Sequence, residues 1–190
     1  FRKNLRYIKN VYDWEVLICT GRGRAFAQMI GEVFFGEGLV DKIICEWGGM
    51  VLDGGSMRIV PDVAKNLPEI RKIQESLIEY VVESLWGTFE EGKDICLSFN
   101  PHDSMSMSDF RTRIEEYISS QKVDSSKIYI TNSNSAVDIN PHWIDKLIAM
   151  QHEVQEGVIV YFWDANNDRT AMEHFAHINI TPSNASGELI

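Results

Sequence analysis

The chain has 190 residues and a formal charge of −10. That length accommodates one domain, or a core carrying a smaller inserted unit, and it is enough to bury a core without disulfide staples. The acid excess excludes a general nucleic-acid binder, which needs a basic face, and no run of about 18 apolar residues offers a membrane span.

The opening Phe1-Arg2-Lys3-Asn4-Leu5 reads as the middle of a helix and lacks the plan of a signal peptide, so further sequence ahead of Phe1 is expected. Glu15 to Cys19 is a short apolar run with β-branched residues, which predicts a buried strand broken by Thr20-Gly21-Arg22-Gly23. A helix is expected from Ala25 to about Phe35 and a strand over Lys42–Cys45. Gly48-Gly49 and Gly54-Gly55 bracket a short strand around Val51. From about Val63 to Trp86, Ile70, Ile73, Leu77, Ile78 and Val81 recur at helical spacing and make one apolar face. Ile95–Phe99 predicts a strand, and Ser108 a cap for a helix reaching Ser119. Strands follow at Lys127–Thr131 and Ala136–Ile139, and Pro141 is expected to start a helix running to Glu153. Val158–Phe162 is the most apolar strand. A short helix over Arg169–Phe175 and a strand over His177–Ile180 complete the pattern.

Alternating strands and helices predict an α/β fold with a mainly parallel sheet, and ligands of such folds bind beyond the carboxyl ends of the strands. Two polar clusters fall there: Thr20-Gly21-Arg22 and Asp164 to Asp168. The first offers a hydroxyl and backbone N–H groups ahead of a helix, suited to a phosphate, or else it is an ordinary glycine turn. The second sets two carboxylates four residues apart, suited to Mg2+, or else Asp168 simply caps a helix. Gly21-x-Gly23 also begins a dinucleotide fingerprint, but Phe26 stands where the third glycine belongs. His174 and His177 read as structural histidines. Cys19, Cys45 and Cys96 lie in apolar runs without metal-type spacing, which points to reduced thiols and a cytoplasmic setting.

Taken in order, five segments resemble the Cof-type branch of the haloacid-dehalogenase-like (HAD) superfamily. They are Ile18-Cys19-Thr20-Gly21-Arg22, Ile44-Cys45-Glu46-Trp47-Gly48-Gly49, Ile139-Asn140-Pro141 through Asp145-Lys146, Trp163-Asp164-Ala165-Asn166-Asn167-Asp168, and Asn184-Ala185-Ser186. The resemblance implies a Rossmann-like core made of residues 1–58 and 134–190, with an α/β cap over residues 59–133 that closes on the substrate. Cap residues near Glu90, Lys93 and Asn100 are candidates to face it.

The implied activity is that of a Mg2+-dependent phosphatase of small phosphorylated metabolites, sugar phosphates or phosphoglycolate-like acids, acting through an aspartyl-phosphate. By the same resemblance, Thr20 holds the transferring phosphoryl group, with Gly21 and Arg22 beside it. Lys146 neutralises charge at the nucleophile, Asp164 and Asp168 serve the metal, Asp168 also orients Lys146, and Asn167 assists. The family's Asp-x-Asp pair is expected ahead of Phe1, because Asp13 is the one aspartate before Thr20 and does not fit the role. The chain as given is therefore expected to be inactive. Trp47 and Trp163 replace the family's asparagine and glycine, which keeps a non-catalytic phosphate-binding or regulatory relative open as the alternative. No nucleic-acid or membrane partner is expected.

Overall fold

A computed structural model describes residues 1–132, 135–154, 159–162, 171, 173–174 and 178–180. The chain opens with α1 (Arg2–Tyr12), an amphipathic helix that buries none of its residues. Its Lys9 pairs with Asp41, and the second carboxylate oxygen of Asp41 accepts the Val16 N–H at 2.8 Å. This ties the helix to the start of the first sheet. There β1 (Leu17–Cys19) runs parallel to β2 (Lys42–Cys45), with α2 (Arg24–Ile30) and a wider helical turn over Gly31–Phe35 as the crossover. A parallel pair requires such a crossover. β3 (Met50–Asp53) and β4 (Ser56–Ile59) extend the sheet antiparallel, giving the order β1-β2-β3-β4. Gly54 and Gly55 join them at φ 53° and 87°, the positive angles that a tight two-residue hairpin demands.

The middle of the chain builds a second core. α3 (Pro61–Ala64) and α4 (Leu67–Glu79) lead into a wider turn over Tyr80–Ser84. Then come β5 (Thr88–Phe89), β6 (Leu97–Asn100), α5 (Met107–Ser120), β7 (Ile128–Asn132) and β8 (Val137–Pro141). These strands form an antiparallel sheet in the order β5-β6-β8-β7. The apolar stripes of α4 and α5 close over one face: Ile70, Ile73, Leu77, Phe110, Ile114 and Ile118 bury against Leu97, Phe99, Val137 and Ile139. Burying side chains of this size contributes roughly 1.5–3 kcal/mol each.

The chain then returns to the first core through α6 (Lys146–Glu153), whose Ala149 and Met150 pack with Ile44, Cys45, Met50 and Val51. β9 (Val160–Phe162) pairs in parallel with β10 (Ile178–Ile180). Among the described residues no helix is long and apolar enough to cross a membrane.

Several elements differ from the sequence reading. The expected single helix over 63–86 is split into α3, α4 and the turn at 80–84. Ser106, not Ser108, caps α5: its Oγ accepts the Asp109 N–H at 3.1 Å. Pro141 does not start a helix. It is the last residue of β8, paired with Ile128, and α6 begins at Lys146 behind the cap Asp145. β8 is a central strand of the second sheet, held by β6 and β7 on its two sides, so that sheet continues past residue 133 to Pro141. β4 and β5 were not expected. The helix read over Arg169–Phe175 lies mostly outside the described residues.

Candidate functional site

The carboxyl end of β2 meets the start of α6, and Thr20, Gly21 and Lys146 adjoin Trp47 there. Thr20 follows β1. Its N–H donates to the Ile44 carbonyl at 2.9 Å and its carbonyl accepts the Trp47 N–H at 3.3 Å. Its Oγ1 accepts the Arg22 N–H at 3.3 Å, which closes the turn into α2. Gly21 lies flat on the Trp47 indole: a Cβ there would come within 2.8 Å of Cε2, so this glycine is required by close approach.

Lys146 reaches the same ring from the other segment. It is the first residue of α6, 6% exposed, and its Nζ sits 5.6 Å from the centre of the Trp47 ring. That is within the range where a ring face attracts a cation. Its backbone is fixed by Asp145, whose Oδ1 accepts the Leu147 N–H at 2.6 Å. The far end of α6 is anchored as well. Glu153, with 2% of its side chain exposed, pairs with Arg58 of β4 and stands 3.8 Å from Lys42 of β2. Thr20 and Gly21 from one segment and Lys146 from another thus meet at Trp47, Thr20 through the Trp47 backbone and the other two at its indole.

The turn that carries Trp47 is strained. Glu46 and Trp47 adopt φ 49° and 60°, and Gly48 φ 100°. Non-glycine residues in the left-handed region cost of order 1–3 kcal/mol each, so the surroundings must hold them there. Glu46, fully buried, accepts N–H groups from Asp94 at 2.8 Å, Ile95 at 2.7 Å and Cys96 at 3.2 Å. Gly48 lies against the Asp145 backbone so closely that a side chain would not fit. Neither residue was singled out from the sequence for these contacts. A lone glutamate within an apolar run gives no sign that amides some fifty positions on will bind it.

Arg22 turns toward the second core. Its guanidinium stands 3.6 Å from the Glu90 carboxylate and 5.5 Å from the centre of the Phe26 ring. With Gly23, Ala25, Glu91 and Gly92 these side chains line a cleft of about 210 Å³ at the seam of the two cores. Behind it, the buried Lys93 donates to Ser98 Oγ at 2.5 Å and pairs with Glu90 at 3.1 Å and Asp138 at 3.8 Å. Two of the candidate cap residues therefore adjoin the cleft. The third, Asn100, contacts Thr88 across the second sheet instead.

Burial pushes the Cys45 thiol up to about 12, and the neighbouring Glu46 charge adds to the effect. Burial likewise raises Cys96 well above the usual thiol range. Neither is a nucleophile near neutral pH, and all three cysteines are free thiols.

Asp164, Asn167 and Asp168, and with them Trp163, lie outside the described residues. Among the described residues no group of three His, Cys, Asp or Glu side chains could hold a metal ion.

No family model matches the sequence, and no curated protein matches it. Solved structures do. A trehalose-6-phosphate phosphatase related protein superposes with a TM-score of 0.65 at 16% identity, over 94% of this chain and 80% of that one. The sucrose-phosphatase of Synechocystis, solved with sucrose and phosphate, gives 0.65 at 16%, over 100% and 80%. A haloacid dehalogenase-like hydrolase from Bacteroides thetaiotaomicron gives 0.68 at 12%, over 99% and 82%. The chain therefore has the α/β fold of these HAD-like proteins.

Proposed function

We propose that this chain belongs to an HAD-type phosphoric monoester hydrolase acting on small phosphorylated metabolites, with sugar phosphates the leading class. The observation that carries the proposal is the convergence of Thr20, Gly21 and Lys146 on Trp47 beyond the carboxyl ends of β1 and β2. The ground beyond the carboxyl ends of the strands is where ligands of such folds bind. The sugar-phosphate class is supported by the fold shared with a trehalose-6-phosphate phosphatase related protein and with the sucrose-phosphatase of Synechocystis.

Phosphoryl transfer needs positioning and charge stabilisation above all. In this reading the Thr20 hydroxyl, which accepts the Arg22 N–H, donates its own proton to a phosphoryl oxygen, and the Gly21 backbone lies beside it. The Lys146 ammonium offsets the charge that builds on phosphorus and on the attacking carboxylate. Held on an aromatic face and at the start of a helix capped at Asp145, it is oriented before the ligand arrives. Asp164 and Asp168 would be the residues that hold Mg2+, which when bound would supply charge neutralisation for phosphoryl transfer. Asn167 would support the phosphate. The attacking aspartate and its acid–base partner would come from sequence ahead of Phe1, since Asp13 serves as the C-terminal cap of α1. The second core, residues 59 to about 141, would act as the cap. Its Glu90 and Lys93 adjoin the seam where a sugar would enter.

The test is phosphate release from a panel of phosphate monoesters with and without Mg2+, using the protein with its natural upstream sequence. Release that needs Mg2+ and is lost in Lys146→Met supports the reading. No release from a folded protein carrying an Asp-x-Asp sinks it and favours the phosphate-binding alternative. That alternative draws on the Trp47 indole covering Gly21.

A further inference from the structure

The turn Glu46-Trp47-Gly48 sends its three residues in three directions. The Glu46 carboxylate receives consecutive N–H groups from Asp94, Ile95 and Cys96, which lead into β6 of the second core while Ile95 and Cys96 themselves pack in the first. Consecutive amides curled around an anion are a strong and directional grip. Trp47 carries the ring on which Gly21 and Lys146 rest, and Gly48 packs under the Asp145 backbone just ahead of Lys146. Two adjoining non-glycine residues in left-handed conformation leave this turn little freedom to move one side chain without the other. Observed strain of this kind is a reason to look for a function.

We propose that Glu46 is a positioning residue that couples the placement of the second core to the placement of Lys146. If residues 94–96 move away, a fully buried carboxylate loses all three donors at once. It cannot stay behind uncompensated, so the turn follows and the Trp47 ring leaves the ammonium. Lys146 then keeps its contact with the Trp47 ring only while the second core is docked. Arg24 and Asp94, 3.9 Å apart, add a weaker, more exposed link along the same seam. The inference rests on the proposed function only for the chemical part given to Lys146. The coupling itself is a property of the fold.

The experiment compares the chain with its Glu46→Gln variant, which keeps the shape but replaces one acceptor oxygen with a donor. Acylation of lysines by acetic anhydride is followed by peptide mass spectrometry, with Lys93 as internal reference. Lys93 is held by Ser98, Glu90 and Asp138 within the second core. The coupling predicts that Lys146 is acylated roughly fivefold or more faster, relative to Lys93, while amide exchange at residues 94–96 accelerates. Faster exchange at 94–96 with unchanged Lys146 acylation overturns it, and so does an equal rise at Lys93 and Lys146. Should the variant not fold, native-state exchange on the unmodified chain decides. The Ile95 and Ala149 amides must then open with the same free energy, below that of Ile139, and separate openings overturn the coupling. No readout involves phosphate release, so a chain without phosphatase activity leaves this result intact, and an active one does not rescue it.

Discussion

The Lys146 ammonium lies 5.6 Å from the centre of the Trp47 ring, on the same indole that covers Gly21. A tryptophan face attracts a cation by about 0.5–2 kcal/mol, depending on burial. If the proposed site holds phosphate, Trp47→Phe, which keeps a ring, should bind it several-fold more tightly than Trp47→Leu. Calorimetric titration with inorganic phosphate checks this, and equal affinities for the two variants would deny the ring any part in holding Lys146.

Gly48 faces the Asp145 backbone at φ 100°. Gly48→Ala combines a forbidden backbone angle with a clash against the start of α6. It should cost more than about 1 kcal/mol, with the loss read as a lower denaturation midpoint in urea. Gly38, at φ 74° with open space around it, bears only the backbone term and should cost less when replaced by alanine.

Glu153 joins α6 to Arg58 and Lys42 with its side chain 2% exposed. Removing one partner of a buried ion pair costs about 3–5 kcal/mol, because the remaining charges are left uncompensated. Since Arg58 is partly exposed and can reach water, Glu153→Ala should fall at or below the low end of that range. The same urea titration measures it.

Raised thiol values give a direction for alkaline stability. Cys45 titrates near 9.0 when unfolded and at about 12 when folded, with burial the main cause. Between these values the unfolded chain releases a proton that the folded chain retains, so stability falls as pH rises from 9.0 toward 12. Below 9.0 the group contributes no slope. Tyr129, raised by burial and donating its hydroxyl proton to the Ile144 carbonyl at 2.6 Å, acts in the same sense. Cys45→Ala should flatten the upper part of the stability–pH curve.

Much of the first core was legible because its signals are local. Lys42–Cys45 is a run of apolar and β-branched residues bounded by breaks, and it forms β2 with those limits. The α5 cap was misplaced although Ser106-x-x-Asp109 carries the pattern of a capping box. β4 was missed because Ser56-Met57-Arg58-Ile59 faces solvent over most of its length and shows little apolar alternation. Its hairpin signal, Gly54-Gly55, was read only as a break. Pro141 misled because proline often opens helices. Here its missing N–H and fixed φ are accommodated at the end of a strand.

For the site, the order of the motif segments indicated Thr20, Gly21 and Lys146, each of which contacts Trp47. Arg22 was expected beside a phosphate, and its side chain faces Glu90 and Phe26. What Trp47 does, where the motif resemblance puts an asparagine, could not be read, because a tryptophan can crowd a site or support it with the same sequence around it. Its ring supports Lys146 and Gly21. The part of Glu46 is set by amides of a distant segment and has no sequence signature.

The most direct test of the central claim is Mg2+-dependent phosphate release from sugar phosphates by the protein with its natural upstream sequence, compared with its Asp164→Asn variant. The account predicts turnover that requires Mg2+ and falls at least about a thousandfold in the variant, as expected when the charge stabilising phosphoryl transfer is lost. Turnover that survives in Asp164→Asn, or that is indifferent to Mg2+, would contradict it.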